Sequence, residues 1–179
     1  MRTVSRALSL AAIAILARVS VPAAQVLARL PEPRPLPDFA LPPVSASGPL
    51  VTPQTILGKI AIFEFWYPEC VYCGEQHESL VRLAQRYGSD SVEIVAVNTR
   101  QSRETAQDFL AQHSTAPYHE VMDSTDFAEK LGVNSAPVLA IIDSKGRIVY
   151  WAGGQDVTER FPSVLDDLLA QRTSGKVRD

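Results

Sequence analysis

The chain has 179 residues, 46% of them hydrophobic, which suits one compact domain with accessory segments and leaves no room for two ordinary domains. Its 17 basic and 20 acidic residues give a net charge of -3, and the basic residues form no cluster. A nucleic-acid groove or an anionic membrane surface would need such a cluster, so nucleic acid is excluded as an expected partner.

Residues 1–28 have the pattern of a targeting segment. Two arginines precede an apolar run of eleven residues, Ala7 to Ala17, and alanines as far as Ala28 offer candidate cleavage sites. The run is too short to span a bilayer, which takes about 20 mostly apolar residues. We expect a cleaved export signal, with a retained N-terminal membrane anchor as the alternative. Either predicts a location in the periplasm or on the outer face of the cytoplasmic membrane.

Prolines divide this segment from the rest of the chain. Residues 29–37 contain a proline at every second position from Pro31, which predicts an extended linker. The folded domain is then expected over residues 38–172. The last residues, 173–179, are expected to form a disordered tail.

Strand and helix patterns alternate beyond the linker. Short apolar runs predict strands at Ile60–Trp66, Val92–Thr99, His119–Met122, Val138–Asp143 and Ile148–Ala152. Apolar residues at helical spacing, with capping residues at their ends, predict helices at Cys73–Tyr87, Ser102–Ser114, Asp126–Leu131 and Thr158–Ala170. Ser144 to Arg147 contains a glycine between the last two strands, which indicates a hairpin turn.

This order of elements predicts an α/β sandwich. Its central mixed sheet is expected to combine parallel strands with a C-terminal antiparallel hairpin, and helices flank the sheet. A right-handed connection places the start of the cysteine-bearing helix just beyond the carboxyl end of the Ile60–Trp66 strand. Sites in open α/β sheets form at that edge.

The chemistry lies in the segment from Trp66 to Cys73. Cys70 and Cys73 are separated by two residues at a predicted helix start, where they can close a small ring. Unpaired N–H groups at a helix start stabilise a thiolate on the first cysteine, which makes Cys70 the expected nucleophile. Cys73 lies one turn deeper and would resolve the mixed disulfide. No cofactor other than this redox-active disulfide is expected.

Other uses of two cysteines fit the sequence less well. A permanent disulfide across two residues would constrain the unfolded chain little. A zinc site takes about four ligands and would have to draw on three scattered histidines. A peroxidase needs a different spacing between its cysteine and the preceding proline. No metal ligands are therefore assigned.

Residues 37–170 resemble the TlpA/ResA-like branch of the thioredoxin superfamily. Glu64 to Cys73 is similar to the strand and redox turn of that branch, and Val133 to Pro137 resembles its loop ending in a cis-proline beside the disulfide. The segment Ser102 to Leu131 fits the central insertion of the branch. The resemblance implies an exported or membrane-tethered thiol–disulfide oxidoreductase. It also implies client proteins with disulfides, often in cytochrome c maturation, and a membrane electron-donor protein as partners.

Two further residues gain a role from this resemblance. A cis bond before Pro137 would leave the backbone carbonyl and amide of Ala136 free to pair with an extended client segment. Glu64 lies six positions before Cys70, where thioredoxins carry a buried acid that accepts the proton of the resolving thiol. Burial would raise the pKa of such an acid and make it a general base. The alternative is that Glu64 points to water, but the alternation along the strand places it on the face shared by Ile62 and Trp66, which favours burial.

Neighbouring side chains complete the predicted site. Trp66, Tyr67 and Tyr72 are expected to form a client-binding surface, with ordinary packing as the alternative. His77 is expected to be a hydrogen-bonded core histidine more than a functional one. Gln76 stands three residues after the second cysteine, where the branch often has an acid, so no proton relay is assigned to that position.

The expected direction of electron flow follows from the charges near the nucleophile. No histidine or lysine lies between the cysteines, and Glu69 directly precedes Cys70, so the thiolate gains little stabilisation. This favours a reductant over a strong disulfide donor. The alternative function is a copper metallochaperone of the Sco type, which would need His113 or His119 close to Cys70.

Overall fold

The computed structural model of the chain describes residues 27–100, 102–113, 117–153 and 160–174. Most of the predicted targeting segment and the end of the predicted tail lie outside these residues. Within the described ranges, no helix combines the length and the apolar character needed to cross a membrane.

Six strands form one mixed sheet in the order β1-β6-β5-β2-β3-β4. The strands are β1 (Ala28–Pro35), β2 (Ile60–Trp66), β3 (Val92–Asn98), β4 (His119–Met122), β5 (Val138–Ile142) and β6 (Arg147–Gly153). The helices are α1 (Pro53–Ile56), α2 (Cys73–Tyr87), α3 (Arg103–His113), α4 (Phe127–Lys130) and α5 (Phe161–Thr173). Strands β2, β3 and β4 are parallel, whereas β5 is antiparallel to both β2 and β6. The predicted sandwich, including the helix–strand–helix insertion between β3 and β5, is confirmed.

Alternating residues of β2 divide the core between the two faces of the sheet. Ile60 and Ile62 pack with α2 and α5. Phe63 and Phe65 face the other way, toward Phe127 of α4, and Phe63 also meets Phe39 edge to face. Both faces are covered, which is why this strand is an unbroken apolar run except at Glu64.

The linker predicted at residues 29–37 is wrong. This segment forms most of β1, an edge strand that pairs antiparallel with β6, with a register shift between Arg29 and Arg34. Prolines are tolerated there because an edge strand has one side without ladder partners. Leu27 is buried in the core beside α5, so the predicted boundary at residue 28 also falls inside the domain.

Residues 38–59 contain structure for which the sequence pattern provided no prediction. Leu41 and Val51 pair with each other, and the backbone of Pro43 pairs with Val121 at the free side of β4. The turn of helix α1 then leads into β2. At the other end of the chain, α5 continues to Thr173, three residues beyond the predicted helix end, so the tail begins later than predicted.

Glu93 joins three elements at the start of the parallel strands. Its carboxylate lies 2.6 Å from Lys59 Nζ and 3.2 Å from Nε2 of His119, the first residue of β4. Burial by itself would raise the pKa of Glu93, but His119 and Lys59 outweigh it and hold the pKa below its ordinary value. The ionised carboxylate therefore stabilises the fold.

We expect Glu93→Gln to lower the free energy of unfolding at neutral pH by about 2 kcal/mol, since hydrogen bonds to charged groups contribute about 1.5–3 kcal/mol. Because the folded-state pKa is depressed, the stabilisation is complete above the ordinary pKa of 4.5 and is lost as the pH falls through the folded-state value. Urea unfolding across acid and neutral pH measures both effects. The exposed Glu78→Gln is the matched control, and an equal loss in both variants would contradict the assignment.

Candidate active site

The two cysteines form a disulfide at the point where β2 gives way to α2. Their Sγ atoms are 2.10 Å apart, and Cys73 is the first residue of the helix. Cys70 lies in the preceding turn, in which its N–H donates to the Tyr67 carbonyl at 3.0 Å and its own carbonyl accepts from the N–H of Cys73 at 3.1 Å. The pair therefore lies at the carboxyl edge of the parallel strands, as predicted.

The two sulfur-bearing residues differ in their access to solvent. Cys73 is fully buried, whereas Cys70 is 7% exposed. The residues between them project outward, with Val71 85% and Tyr72 45% exposed. A second polypeptide can approach the pair only from the side of Cys70.

The loop before β5 borders the same cluster. The bond between Ala136 and Pro137 is cis, as the resemblance to the TlpA/ResA-like branch implied. Ala136 is half-buried and packs against the cluster that contains both cysteines, whereas Pro137 is buried. The loop therefore presents backbone groups beside the disulfide.

Trp66 is not part of a client-binding surface, so this prediction is wrong. The side chain is fully buried because it points to the face of the sheet that α2 and α3 cover. There its ring centroid lies 4.9 Å from that of His77 in α2 and 4.9 Å from that of Phe109 in α3. Tyr67 is half-buried, and the Arg100 guanidinium lies 4.9 Å from its ring centroid. Of the three predicted aromatic residues, Tyr72 has the most exposed surface.

Glu64 is buried, as the alternation along β2 predicted, and its charged neighbour is His77. Oε2 of Glu64 lies 3.3 Å from Nδ1 of His77. The same Nδ1 is 2.8 Å from the backbone carbonyl of Cys73. A carbonyl oxygen only accepts, so Nδ1 carries a proton and donates to it.

A second carboxylate approaches the other ring nitrogen of His77. Oε2 of Glu120 lies 3.7 Å from Nε2. Burial would lower the pKa of His77, but Glu64 and Glu120 outweigh it and raise the pKa well above its ordinary value. The imidazolium form is therefore favoured, and His77 is a charged core histidine that links the α2 helix to two strands.

The other two histidines lie at separate places. His119 pairs with Glu93, as described above. His113 packs on Phe109 with ring centroids 4.4 Å apart. Its ring also lies close to Gly74, since two ring atoms are 3.2 Å from the position that a Cβ on this glycine would occupy. In the described part of the chain, no group of three or more His, Cys, Asp or Glu residues has the arrangement of a metal site.

Three residues of this region were not singled out from the sequence. Glu120 contacts His77 because of the register of β4, which lies two strands away from β2 and places Glu120 in line with Glu64. Arg100 follows the end of β3 and donates from its guanidinium to the Asn134 carbonyl at 2.7 Å. Val71 is the most exposed large apolar side chain at the site. Its position between the two cysteines was a signal that sequence reasoning did not use.

A mixed sheet of this order, with a disulfide at the start of the helix after β2 and a cis-proline loop beside it, defines a thioredoxin-like thiol–disulfide oxidoreductase. The family described as Redoxin matches residues 32–169, and the chain belongs to this family.

Curated relatives and a solved structure agree with this class. The thiol:disulfide interchange protein HelX of Rhodobacter capsulatus is 30% identical over 138 residues, which cover 75% of this chain and 74% of that protein. The thiol:disulfide interchange protein DsbE of Allochromatium vinosum is 24% identical over 83% of this chain and 82% of its own. A crystal structure of a DsbE from Chlorobium tepidum superposes with a TM-score of 0.64 at 24% identity and covers 82% of this chain and 98% of its own.

Arg100 ties together the two loops that flank the disulfide, since it contacts Tyr67 on one side and Asn134 on the other. We expect Arg100→Ala to slow the reaction of Cys70 with a disulfide peptide about three- to tenfold, because one cation–π contact and one charged hydrogen bond are lost. Stopped-flow measurements test this expectation. Arg82→Ala, an exposed arginine change within α2, is the control, and equal rates for the two variants would contradict it.

Proposed function

We propose that this protein is an exported thiol–disulfide oxidoreductase that reduces disulfides in client proteins and is then re-reduced by a membrane electron-donor protein. The observation that carries the proposal is the unequal exposure of the pair. Cys70 keeps 7% of its surface exposed, whereas Cys73 is fully buried.

The exchange takes two steps. The Cys70 thiolate attacks one sulfur of a client disulfide, forms a mixed disulfide and releases the other client sulfur as a thiolate. Cys73 then loses its proton and attacks the Cys70 sulfur. This closes the intramolecular disulfide and releases the second client thiolate, so two electrons pass from the pair to the client.

Buried and backbone groups are assigned to these steps. Glu64 is the proposed base for the Cys73 proton, since it approaches the same His77 nitrogen that binds the Cys73 carbonyl. The client is proposed to lie along Ala136 beside the cis bond at Pro137, with Tyr72 and Tyr67 at the edges of its path.

Direction and location rest on the sequence and the relatives. Glu69 beside Cys70 and the absence of a cationic residue between the cysteines favour a pair that gives up electrons readily. The targeting pattern in residues 1–28 supports export to the periplasm, either free or held at the outer face of the cytoplasmic membrane. Assignment to the TlpA/ResA-like branch, and with it a role in cytochrome c maturation, is part of the proposal.

We expect Cys73→Ala to accumulate a mixed disulfide with a disulfide-bonded model peptide, because the second step is removed while the first remains. Catalytic reduction of the peptide should fall below about 1% of the wild-type rate. Mass spectrometry without reductant identifies the adduct. Cys70→Ala leaves the other thiol in place and is the control; adduct formation by that variant at a similar rate would contradict the assignment of the nucleophile.

We expect a reduction potential near about -270 mV, the value of a disulfide reductant, and far from the value of about -120 mV found for a strong disulfide donor. Equilibration with glutathione and dithiothreitol buffers, read out by counting the two thiols, measures it. A midpoint above about -180 mV would contradict the reductant direction while leaving exchange itself in place.

A further inference from the structure

Two acidic residues and one alanine lie side by side across the parallel strands. Glu64 of β2 is in register with Ala96 of β3, and Ala96 is in register with Glu120 of β4. In-register neighbours in adjacent parallel strands point to the same face of the sheet. The two carboxylates therefore flank a position that carries only a methyl group.

His77 bridges this gap from the helix above. Its Nδ1 lies 3.3 Å from Glu64 and its Nε2 lies 3.7 Å from Glu120, so the imidazole spans the width of β3. The ring is held in this orientation by donation from Nδ1 to the Cys73 carbonyl at 2.8 Å and by the edge-to-face contact with Trp66.

The solvent exposure of these side chains rises from Glu64 and His77 to Glu120. Glu64 and His77 have no exposed side-chain surface, whereas the side chain of Glu120 retains 15%. Glu120 also lines a cavity of about 570 Å³ between residues 43–49, α3 and β4. Both of its carboxylate oxygens are buried in the oxidised protein, so an exit by this route requires the side chain to rotate toward the cavity.

The second step of the exchange needs such an exit. Cys73 must lose one proton each time the pair is oxidised, and neither Cys73 nor Glu64 touches solvent. A base that is sealed with its substrate can accept this proton only if a positive charge leaves the core at the same time by a route to water. The described residues offer one chain of titratable groups from Glu64 to a cavity, through His77 and Glu120.

We propose that His77 and Glu120 form the proton exit that serves Glu64 when Cys73 attacks the mixed disulfide. The inference rests on the proposed function and on the role of Glu64 within it. His77 and Glu120 do not touch the reacting sulfurs and are therefore relay residues.

The step consists of two coupled proton transfers. The Sγ–H bond of Cys73 breaks, its proton goes to the Glu64 carboxylate, and the sulfur electron pair forms the bond to Cys70. Neutralising Glu64 removes a counter-charge from the imidazolium, which gives its Nε2 proton to Glu120, and Glu120 releases that proton to water in the cavity. Glu64 and His77 pass from an ion pair to two neutral groups, so no net charge is created in the core. Glu64 returns its proton to Cys73 when the pair is next reduced, and His77 then regains a proton through Glu120.

The surroundings of His77 are consistent with this exchange. The titratable groups that face it are Glu64 from β2, Glu120 from β4, Cys73 on its own helix, and Tyr118, whose hydroxyl donates to the His77 backbone carbonyl at 3.5 Å. Helix α3 contributes the uncharged ring of Phe109. The two carboxylates hold the pKa of His77 above its ordinary value, so the ring is able to carry a proton between them.

The test follows both chemical steps in one trace. Reduced protein is mixed with dithiobis-nitrobenzoate, which releases one thionitrobenzoate when Cys70 attacks and a second when Cys73 resolves the adduct. We expect Glu120→Gln to slow the second release at least about tenfold and to leave the first unchanged. The exposed Glu129→Gln, with the same charge change, should match the wild type in both phases.

Two comparisons distinguish a relay from a structural ion pair. Glu120→Asp shortens the side chain but keeps an acid, so it should resolve faster than the isosteric Glu120→Gln; the reverse order would overturn the relay. In a Glu64→Gln background, Glu120→Gln should have no further effect, because both residues serve one route. A slowing that persists in that background, or a second phase unchanged by Glu120→Gln, would also overturn it.

Failure of the proposed function would have a different signature. In that case the wild-type protein would release a single thionitrobenzoate, with no second phase to compare. The release of two equivalents by the wild type, with unequal effects of the Glu120 variants as described, supports the exit through His77.

Discussion

The packing of one face of α2 against the parallel strands is the constraint on which the site depends. Cys73, His77 and Leu80 recur at helical spacing, and all three are fully buried. Because Cys73 is the first residue of the helix, the same contact that buries it leaves Cys70 in the preceding turn, where 7% of its surface is exposed. One packing interface therefore leaves Cys70 accessible to a partner and buries the resolving thiol of Cys73.

That interface also carries charge, which an apolar core does not tolerate without compensation. Glu64 lies in a strand that is otherwise apolar, and His77 supplies the opposite charge from the helix. Glu120 adds a second carboxylate from β4, and Ala96 leaves space between the two. A larger side chain on β3 would separate these groups. The small side chain of Ala96 is therefore part of the arrangement, together with the charged side chains of Glu64, His77 and Glu120.

The parts of this arrangement that the sequence predicted are those that depend on local periodicity. The strand Ile60–Trp66, the burial of Glu64 and the start of the helix at Cys73 follow from spacing within one element. The edge strand at Ala28–Pro35 was missed because proline disfavours strands in general, and only its place at the sheet edge makes it acceptable. The contact of Glu120 with His77 was missed because it depends on the register of β4, which no local pattern specifies. Trp66 was assigned to the surface because it lies close to Cys70 in sequence, as Tyr67 and Tyr72 do, yet strand alternation points it into the core.

Gln76 and His77 together explain why proton handling falls on one side of the helix. Gln76 is buried near the helix start but has no titratable group, and its amide nitrogen has no hydrogen-bond partner among the described residues. His77, one position later, turns about 100° around the helix axis and faces Glu64 and Glu120. The start of the helix therefore carries an amide that cannot titrate at residue 76 and a titratable ring at residue 77. The proposed proton exit runs toward β4 because His77, and not Gln76, carries the titratable group.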